Sequence, residues 1–201
     1  MATIDSLIDD IRGRVAVALP DKGYRDALRW AAREFMRKTY WLRETVEPGV
    51  VEGTDAYALI ALTTDTEVFA IQAAQLGSDY LTPATQEEVA PETRGWYMFE
   101  PPNIIQLSWS PTAADALLSL LVRCVLVTKT DATTIPDSVL RKWDTTISYG
   151  ALLRLFSMKA APWFDADLAD HYEKLWTADI LLAAQEAERQ SKAYAYGTVR
   201  A

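Results

Sequence analysis

Between Ile135 and Gln190 the apolar residues recur every three or four positions, in two runs separated by the short break Lys159-Ala160-Ala161-Pro162-Trp163. Leu140, Trp143, Ile147, Ala151, Leu155 and Met158 fall on one side of a first helix at this spacing. Leu168, Tyr172, Trp176, Ile180 and Ala183 do the same for a second. Pro136 suits the first turn, where a missing N–H costs nothing, and Asp137 suits the positive helix end. Asp165 is placed to cap the second helix, with Phe164 before it in the position of a hydrophobic staple. Gly150, at the edge of the first stripe, predicts close approach of another helix. Two helices joined this tightly form an αα-hairpin. Neither stripe is stable in water, so the hairpin requires a further layer.

The N-terminal region supplies that layer. Thr3 to about Val17 reads as a short helix with Ile4, Leu7, Ile8 and Ile11 on one face. Leu19-Pro20-Asp21 breaks it, and Asp21 can cap a second helix running to about Tyr40 with the stripe Tyr24, Ala27, Leu28, Ala31 and Phe35. Arg25, Arg29, Arg33, Arg37 and Lys38 lie mostly off that stripe, as on a solvated face.

From Trp41 the periodicity changes. Glu44–Glu47, the segment around Tyr57–Ile60, Glu67–Ala73, Trp96–Phe99 and Ile104–Trp109 read as short strands between Pro- and Gly-bearing turns. Ala116–Lys129 reads as a longer β-prone segment, with a helix over Ala116–Leu126 as the alternative, since short apolar runs are ambiguous. The expected fold class is α+β: a helical bundle formed by residues 1–41 and 133–190, an inserted small antiparallel β domain at 42–132, and a C-terminal tail at 191–201.

Composition narrows the function classes. The 201 residues carry a net charge of −8, which opposes general nucleic-acid binding, because such binding needs a basic face. The acidity is concentrated: residues 42–132 hold 13 acidic and 4 basic side chains. That surplus serves solubility, or it forms a surface that repels a polyanion or attracts a basic partner. The single cysteine, Cys124, reads as a small buried hydrophobe and cannot form an internal disulfide. No signal peptide or membrane-spanning run is predicted, so the chain is expected to be soluble and made in a cytoplasm.

Catalytic equipment is not apparent. The one histidine, His171, lies inside the last helix without a nucleophile motif around it. Zinc sites need more His and Cys than this chain holds. Asp165, Asp167 and Asp170 fit helix-start electrostatics better than a metal loop. No phosphate-cradling glycine motif occurs. The expectation is therefore no catalytic residues, no metal and no cofactor. In the tail, Tyr194 and Tyr196, followed by Val199 and Arg200, form either a strand or hook for a partner or a disordered terminus.

Several residues together resemble a known family. They are Ile135-Pro136-Asp137, Trp143, Tyr149-Gly150-Ala151-Leu152, Leu155, Lys159-Ala160-Ala161-Pro162-Trp163, Leu168-Ala169 and Tyr172, with Ala31-Ala32-Arg33-Glu34-Phe35 upstream. The pattern resembles the head-to-tail adaptor proteins of tailed bacteriophages, particularly the tail tubular protein A–like adaptors of short-tailed phages. The resemblance covers the order helix, β insert, helix pair; the β insert matches only in type. It implies a structural virion protein at the head–tail junction, assembled in the host cytoplasm, without catalysis. It implies a ring of about a dozen copies between the portal and the tail tube or nozzle, held by closed symmetry, with DNA passing through the channel without sequence-specific binding. It also implies portal contact by the C-terminal segment, and hence by Tyr194, Tyr196, Val199 and Arg200. The rival readings are another stopper or tail-completion protein, a small hydrolase using acidic residues, and a cytosolic adaptor for a basic protein.

Overall fold

A computed structural model describes residues 2–17, 19–85 and 94–197, without the side chains of 2–3 and 192–197. Over these residues the fold is α+β, with four α-helices and a curled seven-stranded sheet. The chain divides into two compact units, Met1–Leu42 with Val127–Ala201, and Arg43–Leu126.

In the first unit, strand β1 (Ala2–Thr3) pairs antiparallel with β9 (Thr134–Ile135). Helix α1 (Asp5–Arg12) is shorter than the periodicity predicts: Ala2 and Thr3 are taken into strand pairing, and the helix ends at Gly13 rather than running to Val17. Its face Leu7, Ile8 and Ile11 is buried. Helix α2 spans Asp21–Thr39. Asp21 does not cap it: Pro20, with φ −59° and ψ 144°, occupies the cap position, and the Asp21 carboxylate pairs instead with Arg12. The predicted stripe of α2 is buried throughout, and Ala32 and Met36 join it.

Helices α3 (Asp137–Phe156) and α4 (Ala166–Gly197) form the hairpin. Pro136 sits one position earlier than expected, at the cap, where its carbonyl accepts from Val139 and Leu140 N–H. Helix α3 kinks at Trp143, whose φ of −123° and ψ of 17° leave the helical region. Asp165 Oδ1 accepts from the Asp167 and Leu168 N–H groups, both at 3.0 Å, so it caps α4 as the sequence predicts. Phe164 stays 41% exposed and makes no buried staple. Met158 and Leu168 are each 37% exposed rather than buried. Met158 lies beyond the last residue of α3. Leu168 is eight residues before Trp176, about 80° around the helix from it.

Helix α2 packs on both members of the hairpin. Phe35 meets Trp143 at a ring-centroid distance of 5.6 Å and Trp176 at 6.4 Å, and Trp41 meets the Trp143 ring edge-on at 5.3 Å. The cations of α2 do more than solvate it. Arg29 Nε donates to the Ala132 carbonyl oxygen at 2.6 Å, Arg33 Nη1 to that of Thr128 at 2.7 Å, and Arg25 Nε to the Asp5 carboxylate at 2.6 Å. Three of the predicted surface arginines thus tie α2 to α1 and to the chain entering α3.

The second unit holds β2 (Arg43–Val46), β3 (Ala56–Ala58), β4 (Thr66–Leu76), β5 (Asp79–Pro83), β6 (Trp96–Glu100), β7 (Ile104–Leu107) and most of β8 (Leu120–Thr128), in the order β2-β8-β4-β5-β6-β7-β3. The sheet is not purely antiparallel: β5 runs parallel to β6, with Thr82 opposite Trp96. The segment 84–95 between these strands is long enough to return the chain to the same end, as a tight hairpin is not. The ambiguous run resolves into a single 3-10 turn (Asp115–Leu117) followed by β8, which is buried along most of its length.

Candidate interaction surfaces

The α3–α4 register fixes which surfaces remain open in the first unit. Lys142 pairs with Glu186, Thr146 Oγ1 donates to Asp179 Oδ2 at 2.7 Å, and Phe156 stacks on Tyr172 at 5.8 Å. Gly150 lies under Trp176, where an added Cβ would come within 2.6 Å of the indole. Continued to its end, this antiparallel register brings Asp137, the first residue of α3, level with about Gln190. The final residues of α4 therefore run past α3 by roughly 10 Å at ~1.5 Å per residue.

That overhang contains two of the residues expected to meet a partner. Tyr194 and Tyr196 lie within α4, whose backbone is helical through Gly197, so the strand expectation for them does not hold. The end of the apolar stripe did not end the helix, because Ala, Lys, Gln and Ser sustain helical backbone without a buried face. Their side chains, and all of Val199 and Arg200, lie outside the described residues.

Helix α4 also carries uncovered apolar residues. Leu181 and Leu182 are each 59% exposed, although Ile180 and Ala183 beside them are buried. Near the other end of the hairpin, Trp30, Leu153, Arg154, Ser157, Met158 and Glu173 line an open groove of about 470 Å³. Arg154 stacks over the Trp30 ring at 4.9 Å. This grouping joins α2, α3 and α4, and no local spacing in the sequence signals it.

Two of the carboxylates near the start of α4 are accounted for locally. Asp165 caps the helix, and Asp170 pairs with Lys174 at 2.6 Å. His171 is exposed, with its ring edge-on to Tyr172 at 5.3 Å. Among the described residues, no three His, Cys, Asp or Glu side chains converge as a metal site. Among them, too, no helix is long and apolar enough to cross a membrane.

In the second unit two polar groups hold the irregular segments. Asp115 is 2% exposed; it accepts from the Thr112 N–H and hydroxyl, both at 2.9 Å, and pairs with Arg94. The Thr112 backbone N–H, followed by its hydroxyl and the Arg94 charge, holds this carboxyl below the usual carboxylate range against the opposing effect of burial. Glu44, on the edge strand β2, accepts from the Leu62 N–H at 2.8 Å and from the Thr63 N–H and hydroxyl at 3.3 and 3.2 Å. Its carboxylate thus reaches the segment after β3, the strand at the opposite edge of the sheet. Cys124 is fully buried, and burial, with the Glu44 charge second, pushes its thiol up to about 12.

The charge asymmetry follows the division into units. Residues 43–126 hold 12 acidic and 3 basic side chains, and the remainder 16 acidic and 17 basic. Compared with known proteins, the chain matches no family model and no curated sequence.

Proposed function

We propose that this chain is a structural virion subunit: a head-to-tail adaptor that forms a closed ring between portal and tail or nozzle, with genomic DNA passing through the channel. In this reading the first unit is a helical bundle built from both ends of the chain, and the second is a β domain inserted in it. The observation that carries the reading is the apolar surface left on the hairpin after α1 and α2 have packed: Leu181 and Leu182 at 59% exposure, with Phe164 at 41%. Head-to-tail contact between identical copies buries such surface and closes into a ring when the rotation permits.

Three further features support it. Of the residues that carry the family resemblance, Trp143, Gly150 and Tyr172 serve the α3–α4 interface or its contact with α2, and Leu155 is buried. The helical overhang at the end of α4 suits a segment that reaches toward a portal. An acidic second unit is compatible with a channel lining that repels a sliding duplex.

The test is the mass and image of the particle formed when the chain is mixed with a portal ring. A closed ring of about a dozen copies with an open channel is the expected result. A monomer that leaves the portal unoccupied would remove the proposal.

A further inference from the structure

The second unit carries an apolar strip where its sheet ends. Strand β3 is the last strand of the order and, among the described residues, is bonded on one side only, to β7. Leu59 N–H donates to the Asn103 carbonyl at 2.7 Å, and Leu107 N–H to that of Asp55 at 2.7 Å. Asp55, Tyr57 and Leu59 therefore turn their backbone groups toward β7, while Ala56, Ala58 and Ile60 turn theirs to the side where no further described strand follows.

Side chains alternate along the same segment. Tyr57 and Leu59 are buried, at 6% and 1% exposure. Ala56 and Ala58 are exposed, Ile60 is 70% exposed and Leu62 is 79% exposed. From 56 to 62 every outward position is apolar. Edge strands are ordinarily protected by a charge or a proline at such positions; this one has neither. The strip is also pinned in place, at Leu59 by Asn103 and at Leu62 by the Glu44 carboxylate. Ordering paid in advance lowers the entropic cost of docking.

Charge specifies the occupant. Residues 44–67 include six carboxylates, Glu44, Glu47, Glu52, Asp55, Asp65 and Glu67, and no Lys or Arg. A second copy of this chain is a poor match, because its other unit is close to neutral and Arg25, Arg29 and Arg33 are already engaged. We infer that β3 and the segment through Leu62 form a docking strip for an extended segment of another protein that alternates apolar with Lys or Arg side chains. The apolar side chains cover Ile60 and Leu62, and the cations meet carboxylates of the acidic sequence that flanks the strip. This stands apart from the ring reading: peptide binding at the strip and ring formation with a portal are separate measurements, and either can fail alone.

The probe is a short capped peptide of alternating lysine and valine, with a lysine–serine peptide of equal charge as control. Affinity is measured by calorimetry and the site is mapped by amide shifts of the full chain. The expected result is about tenfold tighter binding of the valine peptide, roughly the discrimination available from a few buried methyl groups, with shifts centred on 56–62. The double substitution Ile60→Ser, Leu62→Ser should abolish that preference while leaving the unfolding temperature unchanged, since both residues are exposed. Equal binding of both peptides, or shifts elsewhere, would overturn the inference. So would a change in self-association of the double variant by sedimentation, which would make a second copy the occupant. Binding of the unsubstituted chain to neutral lipid vesicles, lost in the double variant, would overturn it too and make the occupant a membrane.

Discussion

Gly150 on α3 and Trp176 on α4 are in a contact that only glycine permits. A Cβ at position 150 would lie 2.6 Å from one indole carbon and 2.8 Å from two more. Gly150→Ala should therefore separate the hairpin or displace the ring, costing about 1–3 kcal/mol as overpacking does. Thermal or urea unfolding measures this. Trp176→Leu should be less destabilising in the Gly150→Ala background than in the unsubstituted chain, because the smaller side chain leaves room for the added methyl. A double-mutant cycle with no coupling would show that the contact is not tight in solution.

Removal of the cap on α4 should be felt locally. Asp165→Ala leaves the Asp167 and Leu168 N–H groups without their side-chain acceptor. The expected loss is about 0.5–2 kcal/mol, with faster hydrogen exchange confined to the first turn of α4. Asp165→Asn should retain most of the stability.

The buried Asp115 makes the second unit sensitive to acid. Its folded pKa is depressed, first by the Thr112 N–H. The unfolded chain therefore binds more protons at this site, and stability rises with pH through this range. The contribution is present above the ordinary aspartate value of about 3.9 and is lost as pH falls through the lower folded value. Asp115→Asn should cost about 1–3 kcal/mol at neutral pH and flatten the acid limb of the stability profile. An unchanged acid limb would assign that limb to other carboxylates.

Cys124 should be chemically silent while the chain is folded. Its thiol is fully buried and held near 12, so almost none is thiolate at neutral pH. A maleimide or disulfide reagent should label it only at the rate of unfolding, and at full rate in denaturant. Rapid labelling under native conditions would mean that the centre of β8 opens readily.

Truncation after Gln190 separates stability from assembly. The last buried residue described on α4 is Ala187, and the overhang begins past the first residue of α3. Removing 191–201 should change stability by less than about 0.5 kcal/mol, as for surface changes generally. On the proposed function it should also abolish attachment to a portal, measured by co-sedimentation. Normal attachment would show that Tyr194, Tyr196, Val199 and Arg200 are not the contact.

The features legible in the sequence are those whose physics is complete within a few residues. The Asp165 cap needs only its own carboxylate and two amides within the next turn. The buried stripes of α2, α3 and α4 follow from helical periodicity, and Gly150 announces a close approach by lacking a side chain. Tertiary structure decided what depends on partners distant along the chain. The pairing of Ala2–Thr3 with Thr134–Ile135, the parallel β5–β6 contact and the grip of Glu44 on Leu62 and Thr63 leave no local pattern. Exposure of Met158 likewise depends on where α3 stops. Ile60 reads as an ordinary strand residue until the order of strands puts β3 at the edge of the sheet, with Ile60 and Leu62 exposed beyond its end. Periodicity is a property of one element and survives in one dimension. Which faces are covered is a property of pairs of elements, and only the folded chain selects the pairs.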